Sequence, residues 1–134
     1  MKVATAYWGK KRTHIQLDGW DESLLSWHYG KSREKENFSQ LVNISVQGWL
    51  MDIGVISPTV EEQQIRDETG IFYSDLLDAG KITIKPVETH QALLAWCKEI
   101  GSPIAAQIKI CLRRKLQRMY GGELRDINKG VADA

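Results

Sequence analysis

The amino-acid sequence predicts an α+β fold that is predominantly helical, with an N-terminal β-hairpin and one further short strand packed with four to six helices. Apolar and polar residues alternate near the N-terminus and again at 81–85, whereas spacings of three and four cover most of the remainder. The 134 residues, of which 43% are hydrophobic, match the size of one globular domain. We therefore expect one domain over 1–122 and a flexible C-terminal tail over 123–134.

The first predicted unit is a hairpin formed by residues 2–8 and 12–17. Thr13, Ile15 and Leu17 alternate with polar residues, which is the period of a half-buried strand. Gly9 begins the short connection between the two strands, as in many tight hairpins. An isolated hairpin is only marginally stable in water, so we expect this one to pack on the helices or to pair with a further strand.

Two helices are predicted after the hairpin. Asp21 is the expected cap of a short helix over 22–29 that ends at Gly30. A longer apolar pattern with spacings of three and four follows over 32–54, and Ser32 is its expected N-cap. Residues 42–47 also alternate like a strand, so 38–50 can be read as helix or strand, although the longer periodicity favours helix.

The middle of the chain predicts a capped helix, a short helix and the further strand. Thr59 and Glu62 have the spacing of a capping box, and Gly70 is the expected end of that helix. A short helix follows within 71–80. Residues 81–85 alternate between lysine, isoleucine and threonine, and we expect a strand that stops at Pro86 because proline has no N–H to donate.

Two helices are predicted to complete the fold. The first runs from about residue 88 to 100, capped by Thr89 and ended by Gly101. The second begins at Ser102-Pro103 and ends at the glycine pair 121–122, with one apolar face. Cys97 and Cys111 lie within the apolar faces of these helices, so we expect both thiols to be buried.

Several chemistries lack a sequence signal. The three histidines and two cysteines have no zinc-ligand spacing, and the Gly-x-Ser-x-Gly, Gly-x-Gly-x-x-Gly and phosphate-loop patterns do not occur. We therefore predict no metal and no cofactor. The sequence also contains no apolar run long enough to span a bilayer and no secretory signal, so we expect no membrane association and a cytoplasmic location.

Charge is unevenly distributed along the chain. Residues 37–80 contain one arginine against seven acidic residues, a net charge of −6, whereas residues 81–120 contain eight basic and two acidic residues, a net charge of +6. Two interpretations follow. The two segments can face each other within the fold, or the basic segment can present a positive face to nucleic acid or to an acidic protein.

The last long helix carries the main functional hypothesis, which is nucleic-acid binding by a small non-enzymatic regulatory or accessory protein. Five cations occur within ten residues of this helix with no acid among them, and three more in the hairpin could assist; together they are Lys109, Arg113, Arg114, Lys115, Arg118, Lys10, Lys11 and Arg12. The structural alternative is that these cations interact with the helix dipole and cover apolar edges.

Two other functions stay open at this point. The chain could be a protein-binding adaptor or inhibitor, acting through the acidic 59–78 region, which contains Glu61 and Glu62, or through the tryptophans Trp8, Trp20 and Trp27. It could also be a small enzyme in which Asp18 and Asp21 work with His14 or His28, although such carboxylates are equally expected in a turn and at a helix N-terminus. The oligomeric state is not predicted.

Overall fold

The computed structural model describes residues 2–31 and 36–121. The fold is α+β and predominantly helical, as predicted. Its elements are β1 (Lys2–Trp8), β2 (Lys11–Leu17), α1 (Gly19–Lys31), α2 (Phe38–Asp52), α3 (Val60–Thr69), α4 (Tyr73–Asp78), α5 (Pro86–Ile100) and α6 (Ile104–Tyr120). The tail predicted over 123–134 lies outside the described residues.

The N-terminal hairpin is an antiparallel pair closed by a two-residue loop. Trp8 pairs with Lys11, so Gly9 and Lys10 form the loop. Gly9 has a φ of 67°, whereas no described non-glycine residue has a positive φ, and this combination identifies a type II′ turn. The inner face of the hairpin is buried against the helices through four side chains, Ala6, Trp8, Ile15 and Leu17.

Helix α1 begins three residues earlier than expected. The Asp21 backbone N–H donates to the Asp18 carboxylate at 2.8 Å, and the Asp18 N–H donates to the Asp21 carboxylate at 3.3 Å. Asp18 is therefore the cap, and Asp21 completes a reciprocal pair of the capping-box type. The helix also continues past Gly30 to Lys31, because an exposed glycine inside a helix weakens it without ending it.

Helix α2 lies at the centre of the molecule. The segment 38–50, which the sequence left open between helix and strand, is helical, and its residues Leu41, Val42, Val46 and Leu50 are fully buried. The N-cap is Asn37, in a capping box with Gln40, so α2 begins later than an N-cap at Ser32 would place it, and Glu36 precedes the helix. Ser32 lies outside the described residues.

The strand predicted at 81–85 is not formed. In a strand the backbone groups bond to a neighbouring strand, whereas here they bond to the side chain of Gln47. Its amide donates to the Thr83 carbonyl at 3.1 Å, and its oxygen accepts from the Lys85 N–H at 2.8 Å. The same oxygen accepts from the Thr89 hydroxyl at 3.2 Å. Because α5 begins at Pro86, Thr89 lies inside the helix and is not its cap.

The capping box of α3 is present as predicted, with Thr59 and Glu62 bonded in both directions and Gly70 ending the helix at a φ of 71°. Helix α4 then packs directly on α2. A Cβ added at Gly48 would lie 2.8 Å from the Ser74 Cβ, which is too close for two carbon atoms. Only glycine at position 48 lets α4 approach this closely, and the approach brings the acidic residues of α4 toward α6.

Candidate functional site

Helix α6 turns its apolar face into the molecule, as its spacing predicts. Ile108, Cys111, Leu112 and Leu116 are buried in this face. Lys115 is buried as well, since its side chain is only 10% exposed. Lys115 thus lies within the buried face, and the other four cations of α6 lie on its borders, next to the elements that pack on each side of the helix.

On one border, the Asp21 carboxylate of α1 binds two of these cations. Arg113 donates to it at 2.8 Å, and the Lys109 ammonium lies 3.2 Å away. The Arg113 guanidinium also lies over the Trp20 ring, with its carbon 4.7 Å from the ring centre. Burial by itself raises the pKa of the Asp21 carboxyl, but the hydrogen bond and charge of Arg113, assisted by Asp18 and Lys109, outweigh it, so the pKa lies below its ordinary value.

On the other border, the Asp52 carboxylate of α2 binds two arginines. Arg114 donates to Asp52 at 2.8 Å and Arg118 at 3.3 Å. The Ser74 hydroxyl of α4 donates to the same carboxylate at 2.6 Å. The Asp52 side chain is only 7% exposed, so this carboxylate is held away from bulk water.

Helix α4 supplies the remaining partners. Asp75 accepts from Arg118 at 2.6 Å, and Asp78 accepts from Lys115 at 2.7 Å. All five cations of α6 are thus ion-paired with carboxylates of the same chain. Of the two interpretations of the uneven charge, the structure shows the first, because Asp52, Asp75 and Asp78 of the acidic segment face the basic segment.

The hairpin carries the other predicted cations in a different environment. Lys10, Lys11 and Arg12 are exposed, and no carboxylate among residues 2–31 and 36–121 pairs with any of them. From Lys2 to Leu17 the hairpin contains four lysines and arginines and no acidic residue. We call Lys2, Lys10, Lys11 and Arg12 the hairpin cations.

The hairpin is fixed to the body by α2 along the edge of β1. The Tyr7 N–H donates to the Ser39 hydroxyl at 2.9 Å, and its carbonyl accepts from the Asn43 amide at 3.0 Å. These bonds use the backbone groups of Tyr7, and the residue as a whole stays 51% exposed. The outer face of the hairpin is therefore open to a ligand while its backbone is held in place.

The tryptophans predicted to contact a protein partner are used inside the fold. Trp8 is fully buried, stacks on His90 with ring centres 5.3 Å apart, and donates to the Thr13 hydroxyl. Trp20 and Trp27 are half-buried, and Trp27 contacts the Tyr120 ring at 4.5 Å. A tryptophan in or near a hairpin suits a core as well as an interface, so its presence in the sequence does not decide between the two.

The acidic residues predicted for protein binding differ from each other. Glu62 is the capping-box residue of α3, and its carboxylate lies 4.0 Å from the Lys85 ammonium. Glu61 is exposed on the same helix, and no cation of the described residues pairs with it.

The residues proposed for an enzyme do not come together. Asp21 bonds to Asp18 and to the cations of α6, and the His14 ring bonds to the Thr5 hydroxyl at 3.0 Å. His28 is fully buried, and its two ring nitrogens bond to Glu36 and to the Tyr120 hydroxyl, each at 2.8 Å. The described geometry therefore contains no acid–base pair of the predicted kind.

Metal and thiol chemistry gain no site from the structure either. Across 2–31 and 36–121 no three His, Cys, Asp or Glu residues form a group that could hold a metal ion. Cys97 and Cys111 are buried, as predicted. Burial raises the pKa of the Cys111 thiol to about 12, so this thiol stays protonated and unreactive near neutral pH.

Comparisons with protein-family models, curated proteins and solved structures found no match for this chain. Among the described helices, none is long and apolar enough to cross a bilayer.

Proposed function

We propose that this chain is a small accessory or regulatory protein that binds nucleic acid through its hairpin cations. One observation carries the proposal: the hairpin has four cations, no acidic residue, and no ion pair between those cations and the described carboxylates. Exposed cations without internal partners attract phosphates, because binding releases the counterions that surround a nucleic acid.

The positions of the hairpin cations suit a ligand with repeated negative charges. Lys2 lies at one end of the two strands, and Lys10 and Lys11 lie at the other end. The two ends are roughly 20 Å apart, since a strand rises about 3.4 Å per residue. The hairpin can thus contact several phosphates at once, and the pairing of β1 with β2 keeps the two ends at a fixed separation.

In this proposal the cations of α6 have a structural role. Their charge is balanced within 3.2 Å by carboxylates of the same chain, so releasing one for a phosphate would leave a carboxylate without its partner. The nucleic-acid surface that we propose is therefore the smaller of the two predicted basic regions.

The test is binding of a fluorescent nucleic acid at increasing salt concentration, with two double variants of equal charge change. We expect the logarithm of the affinity to fall with the logarithm of salt at a slope of about −2 to −3, which corresponds to roughly three phosphate contacts. Lys10→Glu/Arg12→Glu should weaken binding at least about tenfold. Lys81→Glu/Lys98→Glu, which changes two exposed lysines outside the hairpin, is the matched control and should retain binding.

Circular dichroism establishes that both double variants stay folded. Absence of binding at 50 mM salt, or an equal loss in the two variants, contradicts the proposal. In the second case the net charge of the protein, rather than the hairpin, would account for the attraction.

A second candidate function is protein binding through α3. No residue of α3 is buried, Val60 is 68% exposed, and Glu61, Gln64 and Glu68 follow one side of the helix. This acidic surface suits a basic protein partner. The test is purification from the native cell after crosslinking: a specific partner should be lost with Glu61→Lys/Glu68→Lys and kept with Lys10→Glu/Arg12→Glu.

A further inference from the structure

The outer face of the hairpin presents a regular array of side chains. Because side chains alternate along a strand, the face opposite the buried one carries Val3, Thr5 and Tyr7 of β1 and Arg12, His14 and Gln16 of β2. The register places them directly across from each other, as the pairs Val3–Gln16, Thr5–His14 and Tyr7–Arg12. All three outward residues of β2 have N–H groups that can donate hydrogen bonds.

The dimensions of this face match the major groove of B-form DNA. The groove is about 12 Å wide and admits a two-stranded β-ribbon. The two strands lie about 4.8 Å apart, and the three outward pairs cover about 14 Å along the strands. That length corresponds to about four base-pair steps, since B-form DNA rises about 3.4 Å per step. The helices pack behind the inner face, and α2 also borders the edge of β1, where it bonds to the Tyr7 backbone.

The chemistry of the face also matches base edges. An arginine guanidinium can donate two parallel hydrogen bonds to guanine, and a glutamine amide can bond adenine in the same paired manner. Of the hairpin cations, Arg12 lies on this face and Lys10 lies in the loop at its end, whereas Lys2 and Lys11 occupy positions of the opposite face.

From this array we infer that the partner is double-stranded DNA, and that Arg12, His14 and Gln16 contact base edges in its major groove. The inference rests on the proposed function and names the ligand class. Duplex RNA fits less well, because its major groove is too deep and narrow for side chains to read. Single strands are usually bound by several stacking aromatic rings, and the outer face offers only the rings of Tyr7 and His14, since Trp8 lies on the buried face.

The experiment compares one sequence as duplex DNA, duplex RNA and single-stranded DNA, and then selects binders from a randomised DNA duplex pool. We expect duplex DNA to bind at least about tenfold more tightly than the other two forms. The selection should enrich a motif of about four base pairs, the length that the outer face covers.

Two variants that keep the phosphate attraction test the base contacts. Arg12→Lys retains the charge but removes the paired donors, and Gln16→Ala removes an exposed amide without a charge change. Each should reduce the preference for the selected motif about tenfold at one base-pair position while leaving the salt slope unchanged. Thermal unfolding establishes that the hairpin remains folded in both.

The outcomes separate this inference from the function on which it rests. Salt-dependent binding with equal affinity for the three nucleic-acid forms overturns the inference and leaves the proposed function intact. An enriched motif that neither variant alters also overturns it. Absence of binding to all three forms overturns both.

Discussion

Helix α6 and the hairpin carry the same sequence signal and occupy opposite electrostatic environments. Each cation of α6 lies between 2.6 and 3.2 Å from a carboxylate oxygen of the same chain. The hairpin cations have no such partner among the described residues. The helix with more cations therefore offers less free positive charge, and the density of lysine and arginine in a sequence does not measure the charge available to a ligand.

The difference has a topological cause. Helix α6 packs between elements whose carboxylates come from distant parts of the chain, such as Asp21, Asp52 and Asp78. The hairpin packs with one face only, and that face is apolar. Arg12 lies on the opposite face, Lys10 lies in the loop, and Lys2 and Lys11 lie at the exposed ends of the packed face. None of the four meets a carboxylate of another described element.

The largest expected effect comes from reversing the charge of one arginine in each region. Arg114→Glu would place a new carboxylate against Asp52 in a largely buried cluster, and we expect a loss of about 3 to 5 kcal/mol in the free energy of unfolding. Arg12→Glu, on the exposed face, should change it by less than about 0.5 kcal/mol. Urea denaturation monitored by tryptophan fluorescence measures both.

A similar loss in the two variants would break the contrast, because it would mean that the hairpin cations also stabilise the fold. A negligible loss for Arg114→Glu would mean that the ion pairs of α6 are replaced by water at little cost, and that α6 remains available to phosphates.

Local sequence patterns predicted most of the fold. The hairpin, the capping box of α3 and the helical character of 38–50 depend on residues that are close in sequence, and each of them is present. The errors in α1 and α2 have the same local origin. Asp18 with Asp21, and Asn37 with Gln40, have the three-residue spacing of a capping box, and these spacings mark the observed starts of the two helices.

Long-range contacts account for what the sequence did not predict. Residues 81–85 alternate like a strand, yet their backbone bonds to Gln47, which lies 36 positions from Thr83. The carboxylate partners of α6 lie up to 92 positions away, so no local pattern identifies them. The uneven charge was the one available signal, and it left the facing segments and the exposed basic face equally open.

A second prediction concerns the close packing that brings the acidic residues to α6. Gly48→Ala would push α4 away from α2, because the new Cβ would lie 2.8 Å from the Ser74 Cβ, and would disturb the bonds of Ser74 and Asp52. We expect a loss of about 2 kcal/mol, despite the better helix propensity of alanine. Gly30→Ala is the control, since that site has open space and should gain up to about 1 kcal/mol.

If both glycine variants were stabilised, α4 could shift without loss, and the acidic cluster would not depend on this approach. A loss confined to Gly48→Ala, accompanied by unchanged nucleic-acid binding, would sharpen the contrast, because it would separate the packing of α6 from the hairpin surface.

The smallest expected effect is a pH dependence at Asp21. Its pKa is lower in the fold than in the unfolded chain, because the hydrogen bond and charge of Arg113, assisted by the Asp18 N–H and Lys109, outweigh the effect of burial. The unfolded state therefore binds protons more readily. The stabilisation is therefore complete above about pH 5 and is lost as the pH falls through the ordinary aspartate range near 4 and below. Asp21→Asn should cost about 1.5 kcal/mol at pH 7.

The informative quantity is the difference between the parent protein and Asp21→Asn in urea denaturation at pH 7 and pH 3. Because protonation removes the same charge that the substitution removes, this difference should shrink at pH 3. A difference that is equal at both pH values would mean that the ion pairs of Asp21 do not stabilise the fold, and that Lys109 and Arg113 are held near Asp21 by packing alone. The hairpin cations have no carboxylate partner among the described residues, so we expect no such pH dependence for Arg12→Gln. The two variants together therefore test whether the charges of α6 are paired within the protein while those of the hairpin stay free.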